Sequence, residues 1–396
     1  MQIETFCRLL TPAGQEALDA AQVLEPCEED FLRDFQALTR RYDADISRAA
    51  LEIAIARRKS ATKFPFAEKL YFTREALEQA SGWEIATYRA ERFRPYERLA
   101  DLGCSAGSDS LALAGVAPTV GLDLDGLRLR MAQANACALG LGSSLAFAQT
   151  DLRNPLPLPV RDQKLALFFD PGRRAGGKRA RSVREYEPPL AVIRDWLRAC
   201  PALGVKISPG VILAEVEGLG AEIEFISLAG ELKEAVLWFG PLKTAERRAT
   251  LLPGGDTLTE APGVSLGARE PGAYLYEPDP AVLRAGLVQT LGGQLGAWQI
   301  DAGIAYLSCN RLVETPFARH WIVEDWFPFN LKRLRAYLRQ RRVGRVTVKK
   351  RGSPLQPEEL IRQLRLEGEE ERVLFLTHVQ GRAAVVVGGG MVGRTS

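Results

Sequence analysis

A chain of 396 residues with 46% hydrophobic and 26% charged side chains is too long for a peptide module and too apolar to stay disordered, so two or three packed domains are expected. Six scattered cysteines and only two histidines, His320 and His378, argue against a disulfide framework, a zinc site and histidine-based acid–base chemistry. The net charge of +3 says little about partners; no run of about 18 apolar residues and no basic-then-apolar amino terminus occurs, so a cytoplasmic protein without membrane or metal is expected.

Residues 1–95 read as a helical cap, because apolar positions recur three and four apart in FLRDFQALTRRY and ISRAALEIAIARRK with no strand-like alternation. From 96 to 245 the pattern changes to short apolar strands (LADL, TVGLDL, LAFAQ, KLALFF, GVKI, EIEFISL, EAVLWF), the first five separated by helix-length segments such as 126–140 and 188–200. That alternation predicts a doubly wound α/β sheet of seven strands. Only a short turn around Gly230 joins the last two, too short for a parallel crossover, so the final strand is expected antiparallel. Residues 246–325 read as a Gly/Pro-rich linker and an α/β connection with a helix over 280–296. A small α/β unit over 326–390 follows: a helix over 331–342, the strand RVTVKK, a helix over 357–366, and strands VLFLT and AAVVV across a turn at Gln380 and Gly381.

Charge is unevenly placed. Residues 1–60 carry eleven carboxylates against eight Lys and Arg, whereas Lys332 to Arg351 holds ten cations and no acid. An anionic partner at the carboxyl end is one reading; the solvated side of a helix with Leu331, Leu334 and Leu338 inward is the other.

In an open parallel sheet the crevice at the strand carboxyl ends is where ligands bind. Each of the first four strands ends in an aspartate: Asp101 in DLGCSAGSD, Asp123 in GLDLD, Asp151 in QTDL and Asp170 in FFDPGRR. One such residue is usually a helix cap; four in succession are harder to dismiss. The loop Asp101, Gly103, Ser105, Gly107 lacks the three-glycine spacing that lets a pyrophosphate reach a helix amino terminus, and its carboxylate repels phosphate and attracts an ammonium. S-adenosylmethionine carries an ammonium, a carboxylate and a sulfonium but no phosphate, and suits the loop. Asp123, 22 residues after Asp101, is placed to accept two ribose hydroxyls, and Asp151 to accept an adenine amine.

These features resemble class I S-adenosylmethionine-dependent methyltransferases. The resemblance extends through LYFTREALEQAS, FFDPGRRAGGKR, AVLWFGPL, YLYEPDPAVLRAGL and FPFNLKRLRAYLRQRRVGRVTVKKRG to the bacterial members with a carboxyl-terminal THUMP-like domain. It implies the cofactor, a Rossmann-like sheet and an RNA substrate, tRNA or rRNA. Ser105 and Ser108 stand where that family usually has glycine. After the fourth strand, amine methyltransferases carry an Asp/Asn-Pro-Pro-aromatic motif whose acid and proline carbonyl accept the amine hydrogens. Here it is Asp170, Pro171, Gly172, Arg173, so the stacking ring is replaced by a guanidinium that can stack on a base or hold a phosphate. The loop continues with Arg174, Lys178 and Arg179, which with Lys349, Lys350 and Arg351 are candidates for nucleic-acid contact. Two alternatives stay open at this point: an RNA-binding protein with a decayed methyltransferase fold, and a small-molecule methyltransferase.

Overall fold

The computed structural model describes residues 1–158, 162–172, 174–175, 178–179 and 182–391, with the backbone alone at 174–175, 178–179 and 390–391. The chain divides into two compact units, one of residues 1–222 and 234–244, the other of residues 223–233 and 245–396.

The first unit begins with six helices: α1 (Ile3–Leu9), α2 (Pro12–Val23), α3 (Phe31–Leu38), α4 (Ala44–Ser60), α5 (Arg74–Gln79) and α6 (Trp83–Glu91). Local capping sets the starts of α2, α4 and α5. The Thr11 hydroxyl accepts from the Gly14 N–H with Pro12 in the first turn, Asp43 accepts from Asp45 and Ile46, and Thr73 accepts from Ala76. Phe6, Leu18, Leu51, Ile53 and Phe72 then pack in one core with Leu111, Met131 and Leu145 of the sheet region, which joins the cap to it.

The strands of this unit are β1 (Arg98–Leu102), β2 (Thr119–Asp123), β3 (Leu145–Gln149), β4 (Leu165–Phe169), the short ribbon β5 (Arg174–Ala175) and β6 (Lys178–Arg179), then β7 (Leu203–Ile207). Between them lie α7 (Ser108–Ala114), α8 (Gly126–Ala138) and α9 (Ile193–Ala199). Next come β8 (Glu222–Leu228) and β9 (Glu231–Phe239); β9 returns to this unit from Glu234 onward, whereas β8 beyond Glu222 divides with the second unit. The order in space is β9, β7, β4, β1, β2, β3, with β9 antiparallel to β7 (Leu203 opposite Phe239) and the rest parallel. The order reverses beside β1, which opens a crevice at the strand carboxyl ends.

The second unit departs from the sequence expectation in its first part. The stretch read as a linker contains β10 (Arg247–Leu252), parallel to β8 from Arg247 opposite Ile223 to Leu252 opposite Leu228, and β11 (Asp256–Thr259), hairpinned to it. Ala249, Leu251 and Leu252 are buried there. Prolines and glycines on both sides had masked so short an apolar run. The helix expected over 280–296 is two, α10 (Pro280–Ala285) and α11 (Val288–Leu295), because Gly286 takes a left-handed φ of 73° and closes the first.

A seven-stranded sheet completes this unit, in the order β13 (Trp298–Asp301), β14 (Ile304–Cys309), β12 (Tyr274–Pro278), β15 (Ala318–Pro328), β18 (Arg382–Met391), β17 (Glu370–Val379) and β16 (Val343–Lys350). The helices α12 (Leu331–Gln340) and α13 (Pro357–Leu364) cover one face, where Leu334, Leu338, Leu360, Leu374, Leu376, Val385 and Val387 form a core. The alternate residues Phe375, Ala384 and Val386 pack with Leu275, Tyr306 and Trp321 on the opposite face. Leu334 is fully buried, so Leu334→Ala is expected to lower the stability of this unit by about 3 kcal/mol in a urea titration followed by circular dichroism.

Candidate functional site

Three of the four strand-end aspartates line one cavity of about 260 Å³, together with Phe72, Gln79 and Ala80 of the cap and Gly103 to Ala106 of the first loop. The loop is shaped by backbone demands. Gly103 has φ 81°, and a Cβ there would stand 2.6 Å from the Asp170 carbonyl oxygen, so the β1 and β4 ends approach only because the side chain is absent. Gly107, at φ 85°, turns the chain into α7.

Asp123 ties the second strand to the first loop. Its Oδ2 accepts from the Ser105 N–H at 2.8 Å and its Oδ1 from the Asp125 N–H at 2.9 Å. Each oxygen keeps lone-pair capacity on the cavity side for a further donor. Ser105 itself holds a left-handed φ of 50°, and its buried hydroxyl has no partner. Asp151 is gripped by Arg153, whose Nε and Nη2 donate to its two oxygens at 2.9–3.1 and 2.7 Å; the guanidinium holds its carboxyl down at a pKa of about 2. Arg153 also lines the cavity and lies 3.6 Å from Glu187.

Asp101 behaves differently from the other three. It is fully buried and does not line the cavity; Oδ2 accepts from the Ser110 hydroxyl and Oδ1 has no partner. Burial first and the neighbouring Asp109 second push its carboxyl well above the usual range. The acid that faces the cavity just after this loop is Asp109, in the first turn of α7, which sequence reasoning passed over.

The chemistry-bearing neighbours that the sequence did not single out form a buried ionic cluster. Arg89 of α6, 2% exposed, donates to Asp109 and to the Ser81 hydroxyl with Nη2, and to Glu234 of β9 with Nη1 at 2.6 Å. Lys206 of β7, also 2% exposed, donates to Asp170 Oδ2 at 2.7 Å and lies 3.9 Å from Asp109. Burial raises the carboxyl of Glu234 above its ordinary value, against the opposing charge of Arg89. Asp170 leaves β4 with its N–H on the Leu102 carbonyl at 3.0 Å, and Pro171 and Gly172 continue the cavity wall.

The remaining candidates fall elsewhere. Arg173 lies outside the described residues; Arg174 and Lys178, Arg179 form the two strands of the ribbon, Arg174 opposite Arg179. In the second unit, Lys349 and Arg351 converge on Glu277, Arg351 at 3.5 Å, and stack over Trp321 and Tyr306. Lys350 points away from them and donates to Gln356 at 2.8 Å. With Leu334, Tyr337 and Leu338 buried, α12 and the turn after it leave Lys332, Arg339, Arg341 and Arg342 exposed. Phe327 belongs to the core, with the Arg333 guanidinium 4.2 Å above its ring.

Comparison with known proteins gives the same architecture. A family described as THUMP domain-like matches residues 318–389, and a domain of unknown function matches residues 2–60. An uncharacterized S-adenosylmethionine-dependent methyltransferase of Mycobacterium tuberculosis, in strains CDC 1551 / Oshkosh and H37Rv, is 35% identical over 313 residues, 78% of this chain and 84% of the relative. A crystal structure from Porphyromonas gingivalis W83, described as a methyltransferase, superposes with a TM-score of 0.75 at 21% identity over 91% of this chain and 98% of that one, a likeness of fold. Among the described residues no helix is long and apolar enough to cross a membrane and no group of side chains could hold a metal ion.

Proposed function

Because this chain belongs to the S-adenosylmethionine-dependent methyltransferases, with S-adenosylmethionine as its methyl donor, we propose that the donor lies in the cavity at the ends of β1 to β4 and that the acceptor is a base amine of a cytoplasmic RNA, tRNA or rRNA. The observation that carries the cavity assignment is Asp123, whose two oxygens are aimed by one backbone N–H each and retain room for two hydroxyls. The unpartnered Ser105 hydroxyl and the acid at Asp109 fit a ligand with hydroxyl, amine and carboxylate groups and no phosphate. Asp151 is placed to accept from an adenine amine while Arg153 keeps it ionised. Asp101 contributes through the fold of the loop.

The cofactor supplies an electrophilic methyl group on a sulfonium; the protein's part is alignment and proton uptake. Asp170 and the Pro171 carbonyl accept hydrogens from the incoming amine, which turns its lone pair toward the methyl. The residue types at Arg173, Arg174, Lys178 and Arg179 suit a base or phosphate contact, Arg173 standing in the sequence where amine methyltransferases have an aromatic. The THUMP-like match over 318–389 and the exposed cations of α12 support RNA as the polymer. Lys350 faces outward to join them, whereas Lys349 and Arg351, already committed to Glu277, contribute less.

Incubation of the full chain with radiolabelled S-adenosylmethionine and unfractionated bacterial RNA is expected to put label into RNA; label appearing only in a small metabolite would refute the RNA assignment. Replacing Lys332, Arg339, Arg341 and Arg342 by alanine should weaken RNA binding across sequences and reduce the slope of log affinity against log salt by about 0.7–0.9 for each phosphate no longer neutralised. Filter binding between low and moderate salt measures it, and an unchanged slope would place the RNA elsewhere.

A further inference from the structure

The methyl-transfer reading assigns Asp170 to the acceptor and Asp109 to the donor side of one cavity, yet the groups that hold these two carboxylates do not line it. Lys206 stands behind both. It occupies a buried position of a five-residue strand, LGVKI, every position of which is buried, and its Nζ reaches Asp170 Oδ2 at 2.7 Å, the Gln79 carbonyl at 3.4 Å and Asp109 Oδ2 at 3.9 Å. Stripping water from an ammonium costs several kcal/mol, which only good partners offset. An apolar residue would complete this strand without that cost, so the packing of β7 alone does not call for a lysine. Asp170 retains 19% side-chain exposure while Lys206 has 2%, so the pair presents its carboxylate to the cavity and its cation to the interior.

We propose that Lys206 is a positioning residue for methyl transfer. Resting on the reading above, it clamps one oxygen of Asp170, leaves the other for the hydrogen of the acceptor, and balances the carboxylate charge beside the place where the sulfonium reacts. Arg89 performs the matching service for Asp109 and ties it to Glu234. Lys206, between the two acids, makes the donor and acceptor sides one electrostatic unit.

The decisive measurement needs no acceptor. Calorimetric affinities of S-adenosylmethionine, which is a sulfonium cation, and S-adenosylhomocysteine, its neutral product, are compared in the wild type, Asp170→Asn, Lys206→Met and the double variant. Neutralising Asp170 leaves the lysine charge unbalanced at the methyl end, and Asp109 keeps that charge in place. The preference for the cation over the neutral product should then fall about tenfold and return when Lys206→Met is added, a coupling within the range for contacting charges. A packing role would lower both affinities together, and a cation preference unmoved by Asp170→Asn would overturn the proposal.

Where the wild type labels RNA, Lys206→Met should also lower kcat at least tenfold with a cofactor KM no higher than that of the wild type, and Lys206→Arg should recover part of the lost rate. A kcat equal to wild type would again overturn the proposal. Wild-type protein that binds both ligands but labels no RNA would sink the RNA assignment and leave the coupling to decide on Lys206. Wild-type protein that binds neither ligand would remove the cavity assignment and this inference with it.

Discussion

Asp123→Ala is expected to raise the dissociation constant of S-adenosylmethionine by a factor of 100 or more while leaving the melting temperature within a few degrees. Two charge-assisted hydrogen bonds to ribose hydroxyls, each contributing about 1.5–3 kcal/mol, are removed at once. The same carboxylate also holds the Ser105 N–H at 2.8 Å and the Asp125 N–H at 2.9 Å, so its loss frees the first loop and the start of α8 as well as the ligand. The two effects separate with Asp123→Asn, which keeps one acceptor oxygen and a similar shape: the loop is held on one side only, and binding should fall between wild type and alanine. Titration calorimetry with the product S-adenosylhomocysteine avoids turnover. Undiminished binding by Asp123→Ala would show that the ribose is held elsewhere and would remove the chief support for the cavity assignment.

The part of the site written in local sequence was legible, and the part assembled from distant segments was not. Four aspartates at four consecutive strand ends follow from strand period and loop position, and three of them do meet in the cavity. Asp101 was the exception, because β1 runs one residue further, to Leu102, whereas Asp123 is the last residue of β2, and the Asp101 side chain turned into the protein. Asp109 sits on the first turn of α7, in a stretch where carboxylates are common for capping reasons alone, so its type carried no signal.

Arg89 and Glu234 are 145 positions apart and meet only once the sheet has formed. What could have flagged the cluster is polarity out of place: Lys206 inside an apolar strand, and Arg89 on the inner side of α6 between the buried Ala86 and Ala90. The strand β10 was missed for the opposite reason, since glycine and proline on its flanks outweighed four apolar or small residues that pair with β8. In the last unit the helix α12 was placed correctly by Leu334 and Leu338, but β15 had no alternation to reveal it, its pairing with β12 and β18 burying Trp321 and Phe327 in different cores.

The second large effect concerns stability. Arg89→Met is expected to cost about 3–5 kcal/mol, because the guanidinium is the principal partner of two carboxylates that have almost no access to water, Asp109 at 6% and Glu234 at 4% exposure. Methionine fills similar space and keeps the contact with the Phe168 ring, over which Arg89 now stacks at 4.8 Å, so the loss reports charge more than volume. Its pH dependence follows from the direction of the shifts. Asp101 and Glu234 are both raised in the folded protein, so the folded state binds their protons more tightly than the unfolded chain. Their contribution is fully present below the ordinary carboxylate range and is lost as pH rises through the raised values. Arg89 opposes that rise at Glu234, so removing it moves the Glu234 titration further up. The gap between variant and wild type in urea unfolding should therefore be widest above the raised Glu234 titration and narrow as the pH falls through it, where Glu234 takes up a proton and no longer needs a cation. A gap that stays constant with pH would mean that shape rather than charge gives Arg89 its place beneath the cavity.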